Sequence, residues 1–176
     1  MDAISVSDQV PKAYRAILWA GGICGVLDGI SAVAVSAVFA TKPIQLFQGI
    51  ASGLLGPAAF KGGMTTAALG LAAHLFVAFA AAAVYYAASR IAPVLNEHAL
   101  LSGIFYGVGV HLFMTFLVIP LSAIGARPIV WPRFVAILIV HVIVVGPSIA
   151  LTVRWQSAID RRDARSTAPR AARPRQ

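Results

Sequence analysis

Four apolar runs dominate this chain, at about 16–40, 64–89, 100–124 and 133–153. Each is about 20 residues or longer, the length at which a helix crosses a hydrocarbon layer of roughly 30 Å. Inside such a layer no water pairs with backbone N–H and C=O groups, so a segment must satisfy them internally, as a helix does. The expected fold is therefore all-α, a polytopic membrane protein with four transmembrane helices in a bundle. Composition agrees, with 59% hydrophobic and 11% charged residues and a mean hydropathy of +0.83. Soluble domains sit near 45–50% apolar and about 25% charged. One membrane domain over 1–155 is expected, followed by a basic tail over 156–176 that is disordered apart from a short helical extension after Trp155.

The first run is longer than the apolar core of a signal peptide and contains Asp28, so it reads as a retained span. Gly21, Gly25 and Gly29 recur every fourth residue and form a smooth stripe on which another helix can lie closely. Asp28 sits at the edge of that stripe and faces protein rather than lipid. Residues 41–63 are apolar but broken by Lys42, Gln45, Gln48, Gly56-Pro57 and Lys61. They read as an interfacial helix from about Pro43 to Leu55, or as a shallow re-entrant hairpin broken at Gly56-Pro57.

In the second span Thr66, Gly70, His74, Ala78 and Ala82 share one face, and Tyr85 and Tyr86 stand near its end as an interfacial aromatic pair. The short turn 91–98 makes spans two and three antiparallel neighbours, with His98 in solvent. In the third span Gly103, Gly107, His111 and Thr115 step by four, and Pro120 kinks its end. The fourth bears His141, with Ser148 and Thr152 on the same side, and bends at Gly146-Pro147.

Charge gives the expected orientation. With four crossings both termini lie on one side, together with Lys12, Arg15, Arg90 and the seven arginines between Arg154 and Arg175. Lys42, Lys61, Arg127 and Arg133 lie on the other. The positive-inside rule then places both termini in the cytoplasm, with a bacterial inner membrane as the address. The net charge of +8 belongs to a juxtamembrane arginine tail touching anionic lipid headgroups. No aromatic residues interleave those arginines as base stacking requires, so a nucleic-acid partner is not expected. Cys24 stands alone and excludes an intrachain disulfide.

Each span offers one ionisable group: Asp28, His74, His111 and His141. Counted from the cytoplasmic ends, their depths agree within about 6 Å, one helical turn. The leading reading is a buried polar layer in which an Asp–His pair and hydroxyls such as Thr115 satisfy one another structurally. The alternative is a proton or ion pathway, since buried Asp and His make relays. A third reading is a metal centre, because one carboxylate and three imidazoles match tetrahedral zinc. Bis-histidine haem is a fourth, although the glycine rows favour close helix approach over a macrocycle. No Ser-His-Asp spacing, phosphate loop or HExxH motif appears, so an enzyme is not favoured. Small-residue faces also suit a homo-oligomer.

His74, the segment GIFYGVGVHLFMTFLVIPLSAIG (Gly103–Gly125), and His141 followed by the basic exit at Arg154 resemble the uncharacterised bacterial inner-membrane proteins related to YagU. The likeness covers roughly the C-terminal two-thirds of the chain. In those proteins the region between the first two spans is longer and more polar. The resemblance implies a multi-span inner-membrane protein and supplies no activity, cofactor or catalytic residue.

Overall fold

The computed structural model describes residues 6–167, which are mostly helical and contain no strand. Helix α1 runs Val6–Val38, α2 Pro43–Leu55, α3 Gly63–Ile91, α4 Val94–Glu97 and α5 Ala99–Phe113. A π-helical turn, Met114–Val118, joins α5 to the short α6, Ile119–Leu121. A second, His141–Val145, joins α7 (Trp131–Val140) to α8 (Gly146–Thr167). Among the described residues four continuous segments are long and apolar enough to cross a membrane: Ala13–Val38, Gly63–Ile91, Ala99–Leu121 and Trp131–Ala164. The all-α multi-span architecture expected from the apolar runs is the one observed. Large apolar side chains such as Phe76, Phe105, Phe116, Leu121 and Ile143 point outward, as suits a lipid environment.

Span 1 lies in the middle, with α3 on one side and α8 on another, and α5 packs against α8. Spans 2 and 3, expected as direct neighbours, meet through side chains. The Tyr106 hydroxyl donates to the Ala81 carbonyl at 2.7 Å, and the Tyr85 and Tyr106 rings stand edge to face at 5.0 Å. Tyr85 is therefore not an interfacial aromatic. It is 1% exposed and donates to the Leu95 carbonyl at 3.0 Å, which fastens the turn between the two spans. The core at this terminus-bearing end is built from small and branched residues: Ala20, Cys24, Ala82, Ala99, Val145, Ile149, Ala150 and Val153 around Tyr85.

Between spans 1 and 2, α2 is one unbroken 13-residue helix, about 20 Å long at 1.5 Å per residue and too short to cross. It starts where the Lys42 N–H donates to Gln45 Oε1 at 3.1 Å and stops at Gly56, whose φ of +61° favours glycine. Its polar break is absorbed by α3. Gln48 donates to the Gly63 carbonyl at 3.0 Å and Thr66 to the Ala59 carbonyl at 2.6 Å. At Gly70 the α3 backbone presses directly on the Phe47 carbonyl.

Both prolines expected to bend their helices are preceded by π turns. Proline lacks the N–H that would serve the carbonyl four residues back, and its ring crowds that turn. In each case the chain takes an i→i−5 bond just before the proline, Ile119 N–H to Met114 O and Gly146 N–H to His141 O. Past Trp155 the helical extension is longer than the short one expected, and α8 continues to Thr167, so residues 156–167 are not disordered. The charged composition of 156–167 hides a docking face, because Gln156 and Ser157 are buried on a helix that packs on α1, α4 and α5. The remainder of that tail, 168–176, lies outside the described residues.

Candidate functional site: two pairs of ionisable side chains

The glycine stripe of α1 faces α3. A Cβ on Gly21 would meet the Phe79 side chain, one on Gly25 would lie 2.8 Å from Leu75 Cδ2, and one on Gly29 would lie 3.5 Å from His74 Nε2. That close approach puts an imidazole against the backbone of span 1, with His74 Nε2 3.0 Å from the Gly25 carbonyl oxygen. A carbonyl only accepts, so Nε2 carries the hydrogen. The other ring nitrogen, Nδ1, stands 3.9 Å from Asp28 Oδ2. This exceeds a hydrogen bond and lies within ion-pair contact.

Chemically the arrangement is incomplete as a neutral imidazole beside a carboxylate. With hydrogen on Nε2 alone, the Nδ1 lone pair faces an anionic oxygen. One further proton, on Nδ1 or on the carboxyl group, makes the contact attractive. The side chains are 10% and 21% exposed for His74 and Asp28, so water does little of that work.

The other two histidines meet across spans 3 and 4. Gly103 lies against the Gly146 carbonyl and Ala150, and Gly107 against the His141 carbonyl. One turn further on, His111 meets His141 with ring centroids 5.1 Å apart and planes 59° apart. Phe134 stands edge to face with His111 at 4.5 Å. His141 Nδ1 lies 2.9 Å from the Ile137 carbonyl. His111 is 3% exposed, and its Nε2 has no hydrogen-bond partner. Thr115 follows within the first π turn, partly buried.

The four groups therefore form two pairs. Asp28 and His74 occupy the stripe face of span 1, whereas His111 and His141 occupy the seam between spans 3 and 4. Among the described residues no three His, Cys, Asp or Glu side chains come together as a metal ion would need. The tetrahedral zinc arrangement of all four is not formed. The rings of His111 and His141 are too close for a macrocycle between them, so they do not fit bis-histidine haem.

Other polar contacts had weak sequence signals. Phenols inside helices must find acceptors, which is the signal carried by Tyr85 and Tyr106. Asn96 Oδ1 and Gln156 Oε1 are buried without partners near the terminus-bearing end. Beside them a shallow depression of about 290 Å³ is lined by Glu97, His98, Ala99, Leu100, Leu101 and Arg154, and His98 is exposed there as expected. On the opposite end Arg133 donates to Thr41 Oγ1 at 3.0 Å and stacks 5.1 Å above the Phe39 ring.

Comparison with protein-family models, with curated proteins and with solved structures found no match.

Proposed function

We propose that this chain is a multi-pass protein of a bacterial inner membrane, with both termini cytoplasmic, in which the Asp28–His74 pair fastens span 1 to span 2. One observation carries the reading: both nitrogens of a single imidazole face α1, one at the Gly25 carbonyl and one at Asp28. The cytoplasmic orientation rests on the ten-to-four distribution of Lys and Arg between the two ends, and the arginines from Arg154 onward supply contacts to anionic headgroups. Kinship with YagU-like proteins is part of the proposal and rests on the residues quoted for it.

The fastening role is tested by purifying Asp28→Asn. Interhelical polar contacts in membranes contribute about 0.6–2 kcal/mol. The variant should give lower folded yield and a lower melting temperature. Wild-type yield and melting behaviour in both Asp28→Asn and His74→Ala would overturn the reading. Reporter fusions that are active only outside the cytoplasm, placed at either terminus, should be silent.

The proximity of a carboxylate and an imidazole, Asp28 Oδ2 3.9 Å from His74 Nδ1, favours a second reading, in which the two groups pass a proton along the bundle. Asp28 is four residues past Cys24, and His141 is four before Val145. Cys24 Sγ lies 3.9 Å from the Val145 carbonyl. In antiparallel spans both offsets run the same way, which supports a common height for the two pairs. A pH dye inside proteoliposomes distinguishes the readings: a proton role loses flux in Asp28→Asn while yield is retained. Identical traces for wild type and variant exclude it.

A further inference from the structure

The geometry points to a binding site for one soft monovalent metal ion, Cu(I), between His111 and His141, independent of the Asp28–His74 pair. His141 is held as a metal-binding histidine is held. Its Nδ1 donates to the Ile137 carbonyl at 2.9 Å, which fixes the tautomer and leaves the Nε2 lone pair free; ligating histidines characteristically give their second N–H to such a carbonyl. His111 is 3% exposed and its Nε2 has no partner at all. An imidazole nitrogen is either a donor or an acceptor, so something is missing from its surroundings. The ring centroids stand 5.1 Å apart without a hydrogen bond between the rings, so both imidazoles lie within reach of a single ion.

The class of ion follows from what surrounds the pair. Phe134 packs edge to face on His111, and among the described residues no third His, Cys, Asp or Glu joins the two. That excludes the oxygen-rich shells of calcium and magnesium and the four-ligand shell of structural zinc. A single positive charge and a low coordination number suit an apolar seam better. Met114 lies three residues beyond His111, one helical turn away, and offers the soft thioether that selects Cu(I).

Silver(I), a redox-inert probe of the same ligand preference, tests the site. It is titrated into the full chain in lipid nanodiscs, in a Cys24→Ser background so that no thiol competes. One silver ion per chain is expected, with 15N resonances of His111 and His141 moving on binding. Affinity should fall at least tenfold in His111→Ala and in His141→Ala and stay unchanged in His98→Ala. The proposal is overturned by sub-stoichiometric silver, by shifts confined to His74 or His98, or by unaltered affinity in the two seam variants. The resonance shifts are read on unsubstituted histidines, so they decide the matter even where an alanine variant fails to fold.

Discussion

The carbonyl oxygen of His141 sits directly on Gly107, so closely that a Cβ on Gly107 would overlap it. The same oxygen accepts the Gly146 N–H five residues on. One carbonyl thus joins the contact between spans 3 and 4 to the π turn of span 4. A glycine at 107 is what lets the two backbones approach closely enough to bring His111 beside His141.

Gly107→Ala and Gly109→Ala form a matched test of that contact. Gly109 is two residues away on the same span, and a Cβ there would meet nothing within 4 Å. Replacing glycine by alanine inside a helix gains up to about 1 kcal/mol in propensity. Overpacking a tight contact costs about 1–3 kcal/mol. Gly109→Ala should be neutral or slightly stabilising in a mixed-micelle unfolding titration, and Gly107→Ala destabilising. Equal effects at the two positions would mean that spans 3 and 4 are not in backbone contact.

Pro147 sets up the second test. It lacks the N–H that would serve the Ile143 carbonyl, and the turn His141–Val145 lies immediately before it with its i→i−5 bond. Pro147→Ala restores the donor, so the segment should relax to α-helical register. One residue of register is about 100° of rotation, enough to swing His141 away from His111. Solid-state NMR should show α-helical carbonyl shifts at 141–145 and loss of the His111–His141 contact. If the π turn persists, the packing of Gly107 and Gly146 holds it rather than the proline.

Much of this architecture is legible in the sequence because its signals are local. Run length sets the spans, and four-residue steps set the contact faces at Gly21/Gly25/Gly29 and at Gly103/Gly107/His111. What a step of four does not carry is the identity of the helix that meets the face. Span 1 has two buried faces, and Asp28 and Cys24 look towards different neighbours, which is why one expected group of four became two pairs. The π turns escape periodicity altogether, since a single inserted residue hardly disturbs an apolar run; only Pro120 and Pro147 mark them. The length of the helix beyond Trp155 was hidden for the opposite reason. Its charges read as solvated chain, while two polar residues, Gln156 and Ser157, do the docking.

Gln156 is 2% exposed and its Oε1 has no partner. A buried acceptor without a donor costs about 1–3 kcal/mol, and methionine has a similar length without that oxygen. Gln156→Met should raise stability by about 1 kcal/mol and slow hydrogen exchange along residues 157–164. A loss of stability instead would show that a hydrogen bond to water or lipid satisfies the amide.

A double-mutant cycle on Asp28 and His74 measures what the buried pair contributes. Either single change leaves a partner behind: Asp28→Asn removes the charge facing Nδ1, and His74→Ala leaves the carboxylate of Asp28 alone beside a cavity. Each should therefore lower stability, by about 0.6–2 kcal/mol as for other interhelical polar contacts in membranes. The double variant loses both members and should cost less than the sum, with a coupling energy of about 0.5–3 kcal/mol. The hydrogen bond from Nε2 to Gly25 is lost in His74→Ala and in the double variant alike, so it cancels from the coupling. The measurement is reversible unfolding of all four proteins under one lipid and detergent condition. Additive costs would mean that the 3.9 Å contact is proximity alone, and that span 2 is held to span 1 by the glycine stripe and the Gly25 hydrogen bond.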